Sequence, residues 1–245
     1  AKKHTKDTDG EETFYRGRMA RIFKIQLQRV EDSKKQLQGC YFIIQDRTEE
    51  INELKKKQHL ATHDRLTDLY IKEHFYEQAE KYIKDHPEEE LYIVCTDIKD
   101  FKMINDFFGS RVGDAVLQNY ADKIRKSADK LITYGRLGND NFAILMKKED
   151  FREEYFELTT QEAFAGSIHT AVAFQVIAYA GVYQVVERDL LVSVMCGRAR
   201  MALNTVKGSR THKVAYYDNV LRDNIFLEQE LSKELEEAIA GEQLQ

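Results

Sequence analysis

Proline is almost absent and glycine is sparse: Pro 1 and Gly 12 in 245 residues. That scarcity predicts a chain rich in helices with few long irregular loops. A basic excess is also lacking, since Lys+Arg 37 stands against Asp+Glu 42 for a net charge of −5. A general nucleic-acid binder would carry a basic surplus or stripe, so no nucleic-acid partner is expected. No run reaches the ~20 apolar residues that a spanning helix needs. The most apolar stretch, Ala171 to Val186, is interrupted by Gln175 and Gln184, so no membrane span is expected within this chain. Ala1 to Glu12 has no apolar core of the kind a signal peptide carries and reads as a solvated tail. The three cysteines, Cys40, Cys95 and Cys196, are far apart in apolar surroundings. They read as reduced core thiols of a cytoplasmic protein, not as a disulfide or zinc set.

What remains is 42% hydrophobic and 32% charged, enough to bury a core over one full domain plus a fragment, or two small domains. Between Phe14 and Val30, Phe23, Ile25 and Leu27 alternate with Lys24, Gln26 and Gln28, the period of a half-buried strand. A polar turn at Glu31 to Lys35 and a second strand, Cys40 to Ile44, complete an antiparallel pair too small to stand alone. At Asp46 to Glu50 the pattern turns helical, with Asp46 or Thr48 as cap and Ile51, Leu54 and Leu60 on one stripe. Such a helix suits either a linker that pairs with a second copy or a helix packed on its own domain.

From Ala61 onward helical and strand periods alternate, as in an α/β or α+β domain. Helices are predicted over Ile71–Asp85, Val112–Ser127, Glu149–Leu158, Leu190–Val206 and Asn219–Gln245. Strands are predicted over Leu91–Asp97, Leu131–Arg136, Phe142–Lys147, Ala173–Val185 and Val214–Tyr217.

Two stretches carry groups suited to chemistry. In "VCTDIKDFKMINDFFGSRVGD", Asp97 ends an apolar strand, where a carboxylate needs water, a partner or a metal, and ligand sites gather at such strand ends. Lys102, Asn105, Asp106 and Asp114 follow, and an amide with a carboxylate can read the edge of a purine. The plainer alternative is a polar loop with Asp114 as a helix cap. In "YGRLGNDNFAIL", Gly138-Asn139-Asp140-Asn141 joins two strands in a tight turn and could be no more than that. If the strands ending in Asp97 and carrying Asp140 are neighbours, two carboxylates converge, and such oxygens hold Mg²⁺ on a nucleotide phosphate. His59 and His63 lie four apart without further ligands nearby and read as exposed or capping residues, His169 as a loop or strand-edge residue, and Phe151, Tyr155 and Phe156 as core.

Together "LATHDRLTDLY", "DIKDFKMINDFFGSRVGD" and "GRLGNDNFAIL" resemble the diguanylate cyclase (GGDEF) family over roughly Ala61 to Asp218. The flanks resemble the last strands of a PAS sensor in "GCYFIIQDRTEEINEL" and the opening helix of an EAL phosphodiesterase domain in "LEQELSKELEEAIAGEQLQ". The resemblance implies four segments: PAS-like strands over 13–47, a linker helix over 48–62, a GGDEF domain over 63–218 and a truncated EAL helix over 219–245. It implies an α+β fold, a ferredoxin-like palm whose central antiparallel sheet is covered by helices, preceded by a β-hairpin remnant and the linker helix. In such cyclases two protomers each hold one GTP with metal ions, and each 3′-hydroxyl attacks the other nucleotide's α-phosphate. By position, Asp97, the Ile98 carbonyl and Asp140 would hold Mg²⁺, and Asn105 and Asp114 would read guanine. Asp140, Asn141 and Lys102 would form the catalytic set near the phosphates, and Gly138, Asn139 and Lys207 would contact the nucleotide.

The chain departs from the family at several of these points. The signature turn, Gly-Gly-Asp/Glu-Glu-Phe in active members, reads Gly138-Asn139-Asp140-Asn141-Phe142, so Asn139 adds a side chain where phosphate approaches and Asn141 removes an anion. Lys99 stands where the family repeats its aspartate, and Asp68 and Ile71 stand where it has Gly and Asn. Of the late basic phosphate ligands only Lys207 or Arg210 could substitute, and Asp129-Lys130-Leu131-Ile132 lacks the Arg-x-x-Asp of product inhibition. Losing ~3–4 kcal/mol per electrostatic contact at several places leaves little useful rate. Three readings follow: a catalytically degenerate regulatory domain that binds GTP, an active cyclase making cyclic di-GMP, or a scaffold that binds no nucleotide and dimerises through the linker helix. An EAL domain in the same full-length chain is the expected covalent partner.

Overall fold

The computed structural model describes residues 7–16, 19–32, 34, 36–154, 177–209 and 211–240. It divides into two units, Ala1–Ala61 and Thr62–Gln245. In the first, β1 (Asp7–Arg16), β2 (Met19–Glu31) and β3 (Leu37–Asp46) form one antiparallel sheet in the order β1-β2-β3. The expected hairpin is therefore three-stranded, and the stretch read as a tail contains β1. Its sequence, DTDGEETFYR, has no apolar alternation up to Glu12. Backbone pairing with β2, from Asp7 opposite Gln28 to Arg16 opposite Met19, makes it a strand. The β2–β3 turn is closed by Asp32, whose carboxylate accepts from the backbone N–H of Lys34 at 2.8 Å and of Gln36 at 2.9 Å. Cys40 is exposed on β3, contrary to its reading as a core thiol; Phe42 and Ile44 lie open beside it.

Helix α1 (Thr48–Thr62) starts where Asp46 accepts from the Thr48 N–H at 3.0 Å, and the Thr48 hydroxyl accepts from the Ile22 N–H at 2.9 Å. None of its residues is buried, and Leu54 and Leu60 face solvent.

The second unit runs β4 (Tyr70–Ile71), α2 (Lys72–Asp85), β5 (Leu91–Ile98), α3 (Phe101–Phe108), α4 (Ser110–Lys126), β6 (Leu131–Gly138), β7 (Asn141–Lys147), β8 (Ala178–Gln184), α5 (Val192–Val206), β9 (Val214–Tyr216) and α6 (Asn219–Ala240). Its six-stranded sheet has the order β4-β6-β7-β5-β8-β9. The inner four strands are mutually antiparallel, the ferredoxin-like palm, and β4 and β9 pair in parallel at the edges. The α+β class and the helix-covered central sheet match the expectation from sequence.

Period-2 alternation along β5 divides its side chains between two cores. Val94 and Ile98 pack with Val116, Leu117 and Ala121 of α4. Ile93 and Cys95 face the opposite way, with Phe75 and Ala79 of α2 and Met195 and Ala199 of α5. Asp97 continues this second series and so points to the face that α5 covers. The close seating of α5 depends on Gly181 in β8: a Cβ there would lie 1.9 Å from the Ala199 carbonyl oxygen and 2.5 Å from the Leu203 nitrogen.

Local differences from the sequence expectation are few. The stretch after Asp97, weighed as a polar loop, is mostly helix α3, separated from α4 by Gly109 at φ +84°. Ile71 pairs with Arg136 in the sheet and does not open α2. Of the helix expected over Glu149–Leu158 the described part contains a 3-10 turn at Lys148–Asp150, followed by the buried Phe151. Tyr155, Phe156, His169 and Arg210 lie outside the described residues.

Candidate functional site

The expected convergence of acidic groups turns on whether β5 and β7 are neighbours, and they are: Asp97 is the register partner of Asn141. Asp97 is buried, and its Oδ2 accepts from the Lys207 ammonium at 2.8 Å. Asp140 sits beside them in the β6–β7 turn. Burial pushes its carboxyl above the usual range and the Asp97 charge pushes the same way, while Lys207 and the Ile98 backbone amide pull it down. The Asn141 amide donates to Asp140 over a long 3.5 Å. Where the family places another carboxylate, this chain therefore has a donor.

Lys207 is set in place by its surroundings. It follows directly on α5, whose exposed carbonyl ends favour a cation. The Ser209 N–H bonds back to the Val206 carbonyl at 2.9 Å, and the Tyr179 hydroxyl donates to the Ser209 carbonyl at 3.1 Å. Tyr179 is itself buried and is the β8 register partner of Asp97. The strand that flanks the carboxylate thus also anchors the segment that carries the ammonium.

Asn105 and Asp114 stand on the successive helices α3 and α4. Asn105 is half-buried, and its Oδ1 lies where a Cβ on Gly113 would come within 2.0 Å, so only glycine admits this packing. Lys102 and Asp114 are exposed. Asp97, Ile98, Asp140, Asn141 and Lys207 therefore form one cluster, with Gly138 and Asn139 in its turn. Asn105 belongs to the α3–α4 contact, and Lys102 lies on the open surface of α3.

One element of the site escaped the sequence reading. Arg136, on the strand leading into the turn, donates to the Asn139 carbonyl from Nε at 2.9 Å and from Nη2 at 2.6 Å. Its Nη1 reaches Asp64 at 2.9 Å. Asp64 also accepts from the Thr67 N–H at 2.9 Å and hydroxyl at 2.7 Å. Burial pushes the Asp64 carboxyl up, but the hydrogen bonds from Thr67 and Arg136 outweigh that and hold it below the usual range. Both motifs were in view in the sequence; nothing in their spacing revealed that one guanidinium joins them. The grip matters because Asn139 is held at φ +48°, a region that L-residues other than Asn and Asp seldom enter. Asp68 likewise lies at φ +58°, which accounts for the family's glycine there.

The GGDEF domain model of diguanylate cyclases matches residues 61–213, more than half of the chain. The chain belongs to the GGDEF diguanylate cyclase family. Among curated proteins this GGDEF chain is similar to diguanylate cyclase TpbB of Pseudomonas aeruginosa, 38% identical over 90 residues, 36% of this chain and 21% of that protein. It is also similar to an uncharacterized protein, y4lL, of Sinorhizobium fredii, 27% identical over 198 residues, 78% of this chain and 24% of that protein. The chain thus spans about a quarter of the length of these relatives. Among solved structures it resembles the coiled coil and GGDEF domain of DgcB from Caulobacter crescentus, solved with c-di-GMP, at TM-score 0.56 and 20% identity, covering 69% of this chain and 92% of that one. The GGDEF domain of TpbB from Pseudomonas aeruginosa superposes at TM-score 0.53 and 24% identity, covering 68% and 99%.

Cyclases of this GGDEF family generally use Mg²⁺. Asp97, the Ile98 carbonyl and Asp140 supply oxygens of the right kind, and a divalent ion held there would share Asp97 with the Lys207 ammonium. The Asp97 side chain is 11% exposed and already bonded to an ammonium. A dication ~4 Å from that ammonium would be repelled by about 8 kcal/mol at an effective dielectric of 20, less than its attraction to two carboxylates at bonding distance.

Proposed function

We propose that this is a regulatory GGDEF domain of a cyclic di-GMP signalling protein, one that binds GTP in the pocket between Asp97, Asp140 and Lys207 and makes little or no product. The observation that carries the reading is the Asp97–Lys207 pair at 2.8 Å beside Asp140. This charged cluster is kept, while Lys99 and Asn141 stand where the family resemblance places carboxylates. Asn105 and Asp114 are the guanine readers in this reading, and Lys102, Gly138 and Asn139 line the approach of the phosphates. Catalysis would need close positioning of two nucleotides and neutralisation of the transferring phosphoryl charge. Asn139 obstructs the first, because it adds a side chain to the turn. Asn141 and Lys99 weaken the second, because they replace carboxylates that in active members handle cation and proton.

The three-stranded sheet before α1 supports a PAS-like sensor as input, and helix α6 supports continuation into an EAL domain. The exposed Leu54 and Leu60 on α1 support homodimer formation through that helix. The deciding experiment incubates the dimeric protein with GTP and Mg²⁺, follows cyclic di-GMP by chromatography, and measures GTP binding by calorimetry. Binding without turnover is expected, weakened about tenfold or more by Asn105→Ala. Clear turnover would establish the active-cyclase reading in its place, and silence at millimolar GTP would leave the scaffold reading.

A further inference from the structure

Two of the three cysteines meet inside the second unit, and the nucleotide reading makes no use of them. Cys95 lies on β5 and Cys196 on α5, each 1% exposed. The Cys95 Sγ donates to the Cys196 carbonyl at 3.5 Å. A hydrogen bond between the two thiols, together with burial, pushes the Cys196 thiol well above its usual range, so it stays protonated at neutral pH. The contact follows from how closely the helix is seated. In the sheet Cys95 is flanked by its register partners Ala143 and Gly181, the two least bulky residues. A Cβ on Gly181 would lie 1.9 Å from the carbonyl oxygen of Ala199, which follows Cys196 by about one turn of α5. The close approach that excludes a side chain at position 181 therefore also brings a sulfur on the strand against the helix backbone at position 196. A disulfide needs its two Cα atoms within about 7 Å, and the close seating of α5 serves that need.

We propose that Cys95 and Cys196 are an oxidisable pair, which a peroxide converts into a disulfide that clamps α5 to β5. One thiol sulfur attacks the peroxide O–O bond and becomes a sulfenic acid, with release of one water. The second sulfur displaces the sulfenic oxygen, which leaves as a second water. Between them the sulfurs give up two electrons and two protons, and the peroxide takes them up. The bond joins residues 101 positions apart, which restricts the unfolded chain and so stabilises the folded unit. It also ties the strand that carries Asp97 to the helix that precedes Lys207. Both thiols are buried, so peroxide reaches them when α5 opens locally, and the pair reacts more slowly than the exposed Cys40. In a reducing compartment the bond is transient, present while oxidant is present. None of this depends on whether the pocket binds a nucleotide.

The test treats the whole chain, carrying Cys40→Ser to prevent links between copies, with millimolar hydrogen peroxide. The protein is then unfolded, its free thiols are alkylated, and its peptides are mapped by mass spectrometry. A peptide pair joined through Cys95 and Cys196 is expected, with neither thiol alkylated and both recovered after dithiothreitol. The melting temperature of the oxidised protein is expected to rise by about 5 °C or more. Cys95 and Cys196 still open to alkylation, after a treatment that oxidises Cys40 in the parent protein, would overturn the proposal. Oxidation of either sulfur to a sulfinic acid without a link would do the same. A linked protein whose melting temperature is unchanged or lowered would overturn the clamp. Cys196→Ala is expected to form no link and to gain no stability from peroxide. An equal gain in that variant, folded, would place the effect elsewhere and overturn the assignment.

Discussion

Strand β5 is apolar and close-packed through Cys95 and becomes a charged site two residues later at Asp97. The two stretches obey different constraints. The body of the sheet tolerates no added volume, because helix α5 lies against the backbone of β8 at Gly181. The pocket end is bounded by a turn and by solvent-facing ammonium and amide groups, so residues there can change without breaking the sheet. Of the departures read from the sequence, Asn139, Asn141 and Lys99 lie at this end of the sheet.

The sharpest way to break this contrast is to add one methyl group in the body. Gly181→Ala places a Cβ against the Ala199 carbonyl and the Leu203 nitrogen. It is expected to destabilise the second unit by ~3 kcal/mol or more, read by chemical denaturation, the upper end of overpacking effects because the obstacle is backbone. A neutral loss there would mean that the body is as permissive as the pocket.

Next in size is the anchor that joins the two regions. Asp64→Ala leaves the guanidinium of Arg136, whose side chain is 13% exposed, without its carboxylate. A loss of about 1–3 kcal/mol is expected at neutral pH. Because the folded-state pKa of Asp64 lies below its ordinary 3.8, its contribution is present above that value and fades as pH falls through the lowered one. The gap between the parent protein and Asp64→Asn should therefore close in strongly acidic solution.

Asp140→Asn should act with the opposite sign. The folded-state pKa of Asp140 lies above its ordinary 3.8, so its ionised form opposes folding as pH rises through that range. The variant is expected to raise the melting temperature slightly at neutral pH, with no gain well below pH 3.8. A fall at neutral pH would show that Asp140 is structural and does not belong with the chemical groups of the pocket. Smallest of all, Phe42→Ser on the open sheet of the first unit, at a residue 63% exposed, is expected to shift stability by no more than ~0.5 kcal/mol.

Much of the architecture was legible from residue order. Alternation marked β5, β6 and β7 within a residue or two, and helical spacing marked α2, α4 and α5, whereas the strand read over Phe14–Val30 starts five residues before β2 and takes in the end of β1. What failed did so for identifiable reasons. Strand β1 carries no apolar signal and exists through backbone pairing with β2. Helix α3 follows so closely on β5 that its polar residues read as a loop. Cys40 has the apolar neighbours of a core residue but lies on a sheet with open faces. In the pocket, Asp97, Asp140 and Lys207 were each singled out from sequence, whereas the bond between Asp97 and Lys207 and the role of Arg136 were not.

Residue identity alone determined the family motifs, the lost carboxylates at positions 99 and 141 and the alternating periods of the elements. Those are properties of each position and its near neighbours, and hydrophobic periodicity reports them directly. Only the tertiary structure decided that Lys207 meets a carboxylate 110 residues earlier and that Arg136 meets one 72 residues earlier. Ionic contacts at such separations are created by strand order and by where a helix ends, and no local pattern encodes either.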